Sequence, residues 1–165
     1  MADVFDKAKR SRIMASITAK DTKPEMTIRK ALHRNGYRYR LHDRTLPGTP
    51  DLTFRKFKAV IMVHGCFWHG HDCTLFRMPA TNQKYWSDKI SNNQKRDQKV
   101  RQELLDLGWR VLIIWECSMK GRHRTVLDDL IPAIENWLLS DHRELEISGG
   151  SSISGAEPPN LHCNS

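Results

Sequence analysis

The chain has 165 residues, of which 39% are hydrophobic, enough to bury one core of ordinary size without disulfide support. Its 27 Lys and Arg residues outnumber its 19 Asp and Glu residues, and the net charge of +8 favours polyanionic partners such as nucleic acid, although a solubilising surplus of Lys gives the same sum. Only four cysteines occur, three of them near histidines, and the sequence shows no apolar leader, which argues against a secreted disulfide scaffold and for the cytoplasm. The longest apolar run, 59–63, is far shorter than the ~20 residues that cross a bilayer.

A basic N-terminal arm, residues 1–20, is the first element that the sequence predicts. Its surplus of Lys and Arg and its weak periodicity fit either a segment that orders on a phosphate backbone or a frayed terminus. A helix over about 23–35 follows, because Thr22 and Glu25 have the spacing of a capping box and Gly36 ends the apolar pattern.

Three strands are predicted next. Alternation of apolar and charged residues over 37–41 is typical of a half-buried strand, and the Pro- and Gly-rich segment 46–50 predicts a turn. Short apolar or β-branched runs at 51–54 and 58–63 flank a charged turn and predict a hairpin that enters the core. The second run is the more hydrophobic, so we expect it at the centre of the sheet.

The second half of the chain predicts a helix, a strand and a helix. A long polar stretch over about 82–107 has apolar residues at helical spacings and stops at Gly108. Residues 109–115 are nearly all β-branched or aromatic, which predicts a buried strand. A last helix over about 125–139 contains Pro132, which should kink it.

These elements predict an α/β fold in which a mixed central sheet is flanked by helices in three layers, in the order α-β-β-β-α-β-α. Residues 21–145 would form the one folded domain. Residues 146–165 are rich in Ser, Gly, Pro and Asn and have too few apolar groups to offset the entropy of ordering. They are therefore predicted to be a disordered tail.

A candidate metal site lies in one short segment, where Cys66, His71 and Cys73 follow the pattern C-x4-H-x-C. Two thiolates and an imidazole from one loop can bind a tetrahedral Zn²⁺, and the fourth ligand must come from elsewhere. Cys117 at a strand end is a better candidate than Cys163 in the predicted tail, and a site with four protein ligands is structural. Loop cysteines without a metal, and a buried free thiol at Cys117, are the alternatives.

A second candidate site combines Asp51, which follows a turn at the start of a strand, with His64 and His69. Asp51 alone would be a capping or solvated carboxylate, but histidines rarely cluster as they do here. Hydrolysis of a phosphodiester needs a divalent ion, a base that activates water, and assistance to the leaving oxygen. Asp51 suits the ion, and the histidines suit the proton transfers, with a carboxylate such as Asp97 to orient the base.

Two aromatic residues, Phe67 and Trp68, lie between those histidines in the sequence. Core packing is one explanation for them. Wedges that enter a base stack in DNA are the other.

Together these residues resemble the very-short-patch mismatch repair endonucleases, a bacterial family with the fold of type II restriction enzymes. The resemblance covers most of the chain, and its most specific part is the string HGCFWH at 64–69. The other matching motifs are Asp6-Lys7, Arg10-Ser11, Asp21-Thr22 with Glu25, Leu46-Pro47-Gly48 with Pro50-Asp51, Gly108 to Ile113, and Trp115-Glu116-Cys117. The second acidic residue and the lysine of the broader restriction-type pattern are replaced here by Val63-His64. This replacement is expected within the very-short-patch repair family and therefore supports the narrower assignment.

The resemblance implies a restriction-endonuclease-like core with a catalytic Mg²⁺. Asp51 and the main-chain carbonyl of Val63 are its implied ligands. Glu25 is implied to hold metal-bound waters, a role that competes with its place in the capping box. The implied proton-transfer residues are His69, paired with Asp97 as the base, and His64, which assists at the phosphate.

The resemblance also assigns the structural Zn²⁺ and the contacts with DNA. The implied Zn²⁺ ligands are Cys66, His71, Cys73 and Cys117. Phe67, Trp68 and Trp86 are implied to wedge into DNA beside a T:G mispair. Lys89 and Asn93 are implied to contact bases, and Met14 is the implied DNA-binding residue of the N-terminal arm.

The implied activity is a nick in one DNA strand on the 5′ side of the mispaired thymine that deamination of 5-methylcytosine leaves, which initiates very-short-patch repair. The implied partners are double-stranded DNA with a T:G mismatch and the proteins of mismatch repair and resynthesis, and we expect a monomer that acts in the cytoplasm at the nucleoid. Two rival hypotheses are a restriction-type nuclease that cuts both strands of an intact site and a zinc-stabilised DNA-binding module without chemistry.

Overall fold

The computed structural model describes residue 8 and residues 20–150. Its elements are helices α1 (Lys23–Arg34), α2 (Gln83–Asp106) and α3 (Leu127–Leu139) and strands β1 (Arg40–Leu41), β2 (Leu52–Phe54), β3 (Ala59–His64), β4 (Arg110–Trp115) and β5 (Glu144–Ile147). The strands form one mixed sheet in the order β1-β2-β3-β4-β5. No helix in the described part of the chain is long and apolar enough to cross a membrane.

The sheet separates two hydrophobic clusters, because successive side chains of a strand point to opposite faces. Ile61 of β3 and Leu112 of β4 pack with apolar residues of α1 and α3 on one face. Val60 and Val111 pack on the other face with residues of α2 such as Leu104. The predicted three-layer α/β arrangement is thus confirmed, with the helices on both faces of a mixed sheet.

Strand β3 lies at the centre of the sheet, as predicted. It pairs antiparallel with β2 through a tight turn and parallel with β4 over its whole length. Parallel pairing brings the carboxyl ends of β3 and β4 to the same edge, where His64 lies opposite Trp115. The candidate metal ligands and histidines follow directly from these two strand ends.

The strand predicted over 37–41 is much shorter in the structure, since only Arg40 and Leu41 pair with β2. Strand β2 has only three residues and offers few ladder positions. Tyr37 and Tyr39 pack their rings against Phe54 instead, with centroid distances of 6.5 and 5.6 Å. Aromatic packing, and not strand pairing, therefore explains the alternating pattern.

Strand β5 was not predicted, and the proposed boundary between residues 145 and 146 falls inside it. Its sequence, Glu-Leu-Glu-Ile, alternates over only four residues, and of these only Ile147 is buried. Parallel pairing with β4 and an ion pair between Glu144 and Arg101 hold it in place. The ordered chain thus continues beyond the predicted start of the tail, whereas residues 151–165 and nearly all of the arm lie outside the described residues.

Candidate functional site

The turn before Asp51 packs closely against helix α2. Gly48 has φ +70° and Thr49 has φ +50°, both in the left-handed region. A Cβ atom on Gly48 would lie 2.3 Å from Cγ1 of Val100 on α2, so only glycine allows this approach. The turn thereby fixes the start of β2 relative to the helix that carries Asp97.

The Asp51 carboxylate is directed towards the end of β3. Its Oδ2 accepts a hydrogen bond of 2.7 Å from the backbone N–H of Val63. Because the N–H and C=O of one strand residue point to the same edge, the Val63 carbonyl also faces this side. Burial raises the pKa of Asp51 to about 6, the bond from Val63 acts against this, and the nearby carboxylate of Glu25 adds to it.

Three further predicted residues meet at the same strand end. His69 Nδ1 lies 2.5 Å from Asp97 Oδ2, which links the loop after β3 to the middle of α2. The rings of His64 and His69 stack at 3.9 Å between centroids and are nearly parallel. Burial and the neighbouring His69 lower the pKa of His64 to about 3, so its imidazole is neutral. The stack therefore contains one neutral ring and one ring that a carboxylate can stabilise when it takes up a proton.

Glu25 lies beside Asp51, but not in the capping box that its spacing suggested. The Thr22 side chain makes no capping hydrogen bond within the described residues, and Glu25 Oε2 accepts instead from the backbone N–H of Asp21 at 3.1 Å. Glu25 is almost fully buried, and its Oε1 lies 3.1 Å from Nε2 of His42. Sequence reasoning missed His42, because a single histidine after a short strand carries no local pattern.

The four predicted zinc ligands lie together at the ends of β3 and β4. The ligand atoms of Cys66, His71, Cys73 and Cys117 all lie within 4.8 Å of one another, close enough to share one ion. Burial and the neighbouring thiols raise the pKa of the Cys66 and Cys117 thiols, and burial lowers the pKa of His71. Three crowded thiols with a neutral imidazole form a donor set that a soft or borderline cation would deprotonate and bind.

Residues around this cluster fix its geometry. The backbone N–H of Gly149 donates to Sγ of Cys117 at 3.2 Å. A Cβ atom on Gly149 would lie 2.4 Å from the Cys117 carbonyl oxygen. The His71 ring stacks on Trp115 at 4.2 Å between centroids, and the Trp115 indole donates to Glu146. The segment 146–149, which the sequence predicted to be tail, therefore supports the candidate metal ligands.

Half-buried aromatic residues form a cluster beside the histidines. Phe67, Trp68 and Trp86 pack with centroid distances of 5.2 to 6.0 Å. Phe76 and Tyr85, which the sequence analysis did not select, extend this cluster. Their side chains are partly or largely exposed, which fits a surface that can receive another flat group.

The other predicted DNA contacts lie on or near this cluster. The Lys89 ammonium is 5.7 Å from the Trp68 ring centroid, and its side chain is exposed. The Asn93 amide donates to the Trp68 carbonyl at 2.9 Å, so in this structure it holds the aromatic loop. Met14 lies outside the described residues.

Comparisons with known proteins show sequence similarity over most of the chain. The family model described as DNA mismatch endonuclease Vsr matches residues 2–75. The chain is similar to the DNA mismatch endonuclease Vsr of Escherichia coli strain K12, with 42% identity over 147 residues that cover 89% of this chain and 94% of that protein. It is also similar to the Type II nicking enzyme V.XorIIP of Xanthomonas oryzae pv. oryzae, with 42% identity covering 78% and 98% of the two chains, and to V.NmeAIP of Neisseria meningitidis serogroup A, with 43% identity covering 74% and 87%.

Proposed function

The chain belongs to the family of Vsr DNA mismatch endonucleases, and on this basis we propose that it nicks duplex DNA on the 5′ side of the thymine in a T:G mismatch. It is a DNA nicking endonuclease and therefore a hydrolase of phosphodiester bonds. Deamination of 5-methylcytosine produces this mismatch, and the nick would initiate very-short-patch repair.

The observation that carries the proposal is the hydrogen-bonded pair of His69 and Asp97. The His69 ring also stacks on His64 at the end of β3, where the Val63 N–H orients Asp51. With its Nδ1 proton held by Asp97, His69 keeps a lone pair on Nε2 and can accept a proton from water. The carboxylate then stabilises the imidazolium. Neutral His64 can donate a hydrogen bond to the phosphate without adding a second positive charge beside His69.

Asp51 and the Val63 carbonyl are the proposed Mg²⁺ ligands, since oxygen donors suit this hard cation. When bound, Mg²⁺ would neutralise the phosphate oxygens and favour attack by water. The Val63 N–H orients the Asp51 carboxylate for this purpose. Glu25 would accept hydrogen bonds from waters of the same site, and the effect of its carboxylate on the pKa of Asp51 supports this role.

We further propose that Cys66, His71, Cys73 and Cys117 hold a structural Zn²⁺. Their donor set and mutual distances support this assignment. Four protein ligands leave no position for water, so this site would fix the loop between His64 and Cys73 and not take part in the reaction. The Gly149 N–H would support the Cys117 thiolate.

The aromatic cluster suggests how a mismatch would be selected. Phe67, Trp68 and Trp86 can insert beside the mispair and unstack it, which costs a few kcal/mol per step. A T:G pair is weaker than a normal pair, so this cost is lower at the mismatch. Lys89 and Asn93, together with Met14 of the N-terminal arm, would contact the bases.

Several broader assignments belong to the same proposal. The mixed sheet between helical layers is compatible with a restriction-endonuclease-like core. The chain would act as a monomer in the cytoplasm at the nucleoid, before the proteins that excise and resynthesise the short patch.

A strand-specific cleavage assay with Asp51→Ala tests the proposal. The wild-type protein should cut the thymine strand of a T:G duplex in Mg²⁺, and the variant should lose cleavage while it retains most of its binding to DNA. Cleavage of both strands of matched DNA would indicate a restriction-type nuclease instead. Binding without cleavage by the wild-type protein would indicate a DNA-binding module.

A further inference from the structure

His42 is held next to the catalytic carboxylates by its backbone. Its φ of +46° lies in the left-handed region, which is uncommon for a residue other than glycine. Its N–H donates to the carbonyl oxygen of Asp51 at 3.1 Å. This conformation is strained, and strain of this kind is often found at functional sites.

The imidazole of His42 lies among three carboxylates. Its Nε2 is 3.1 Å from Glu25 Oε1 and 3.7 Å from Asp21 Oδ1, and its Nδ1 is 3.8 Å from Asp51 Oδ1. Nε2 is inaccessible to solvent and has no hydrogen bond of acceptable geometry with any described residue. A buried ring nitrogen that faces two carboxylates without a hydrogen bond needs an explanation.

The charges around His42 favour a cation. Arg29 contacts both Asp21 and Glu25. If His42 is neutral and Asp21, Glu25 and Asp51 are ionised, Arg29 compensates one of these three negative charges and leaves two. If Nδ1 carries the ring proton towards Asp51, the lone pair of Nε2 faces the carboxylates of Asp21 and Glu25. A divalent cation between Nε2 and these two carboxylates would stabilise this arrangement.

We propose that Asp21, Glu25 and His42 form a second divalent-cation site beside the proposed Mg²⁺ position of Asp51. Their ligand atoms all lie within 4.8 Å of one another. This proposal rests on the proposed nuclease function, because the second ion would lie next to the same carboxylate.

The ligand set indicates which cations this site takes. Mg²⁺ prefers oxygen ligands, whereas an imidazole nitrogen favours first-row transition metals. Mn²⁺ and Co²⁺ should therefore occupy the site in preference to Mg²⁺. The histidine is the residue that creates this preference.

Titration of the zinc-loaded, full-length protein with Mn²⁺ and Co²⁺ in the absence of DNA tests the proposal. His42→Asn is the informative variant, because asparagine tolerates a positive φ. His33→Asn is the matched control, since His33 is exposed on α1. Loss of the ligand should weaken Mn²⁺ binding by at least about tenfold, while the control binds like the wild type.

A second readout is the NMR spectrum of the Co²⁺-bound protein. Co²⁺ bound through an imidazole should produce a paramagnetically shifted, exchangeable N–H resonance in the wild-type protein, and this resonance should be lost in His42→Asn. Unchanged Mn²⁺ affinity in His42→Asn overturns the proposal. A shifted resonance that disappears in His69→Asn and persists in His42→Asn also overturns the proposal. The ion would then lie at His64, His69 and Asp97, whose ligand atoms are likewise close enough to share one ion.

Nicking of a T:G duplex in Mg²⁺, measured on the same preparation, separates this proposal from the proposed function. Normal nicking with unchanged Mn²⁺ affinity in His42→Asn contradicts the second site alone. Loss of Mn²⁺ affinity in a protein that does not nick T:G duplexes contradicts the proposed function alone.

Discussion

The His69–Asp97 pair gives the sharpest prediction for a single substitution. Asp97→Asn removes the negative charge 2.5 Å from His69 Nδ1 and presents an amide that can donate to that nitrogen. The proton of the neutral ring would then move to Nε2, where the lone pair is needed. The substitution therefore removes the base without removing the imidazole.

The expected loss follows from what a general base contributes. Such groups accelerate reactions by about 10²–10⁴-fold. The side chains of Asp97 and His69 are 23% and 20% exposed, so water screens part of their interaction, and we expect the lower half of that range. The cleavage rate should fall by about 10²–10³-fold, which corresponds to about 3–4 kcal/mol in the activation free energy.

Single-turnover cleavage of a T:G duplex measures this rate without interference from product release. Asp88→Asn is the matched control, because Asp88 lies on the same helix, is exposed and pairs only with the exposed Lys84 in the described structure. Its rate should stay within about twofold of the wild type, since surface pairs of this kind contribute little. In the double variant His69→Ala with Asp97→Asn, the loss should equal that of His69→Ala alone, as both residues act as one unit. A rate for Asp97→Asn within threefold of the wild type, or independent effects in the double variant, would refute this reasoning.

Three other substitutions test the remaining parts of the site. Cys66→Ala should lose the bound zinc and lower the melting temperature, whereas Cys163→Ser should keep the zinc and the wild-type melting temperature. Metal analysis and thermal melts of the two variants check this, and a Cys66→Ala protein that keeps its zinc would contradict the structural site. Trp68→Ala should weaken binding to a T:G duplex by about tenfold or more, because stacking contributes about 1–3 kcal/mol per base, and fluorescence anisotropy should show a smaller effect on matched DNA. Gly48→Ala should lower the free energy of unfolding by about 1–3 kcal/mol more than Gly36→Ala. Both glycines have a positive φ, but only Gly48 is in close contact with a side chain of α2. Equal denaturant midpoints for the two variants would show that the turn can move away from the helix.

Elements with their own buried, apolar pattern could be predicted from the sequence. Strands β3 and β4 are nearly continuous hydrophobic runs, and their ends locate His64 and Cys117 in the right place. Strand β5 could not be found in this way, because Glu144, Leu145 and Glu146 are exposed and the strand depends on pairing with β4. Its alternation of Glu, Leu, Glu and Ile covers only four residues, too short a signal to predict a strand without the pairing with β4.

The same distinction explains which site residues were found. The ligand set of Cys66, His71 and Cys73 is local and has a recognisable spacing, and the position of Cys117 follows from that of a strand end. His42 lies close to Glu25 and Asp51, which come from a separate helix and from the start of another strand. The approach of Asp97 to His69 likewise depends on how α2 packs across the sheet. Such contacts between distant segments could be proposed from a resemblance to relatives, but no local pattern predicts them.

The position of the nick on a mismatched duplex tests the central claim most directly. Duplexes that carry T:G, T:A or C:G at one position, with each strand labelled in turn, should be incubated with the wild-type protein in Mg²⁺ and in EDTA. We predict one product, a break in the thymine strand immediately 5′ of the mispaired thymine, with no cut in the matched duplexes and none in EDTA. Cleavage of the guanine strand, comparable cleavage of T:A DNA, or a nick that persists in EDTA would contradict the account.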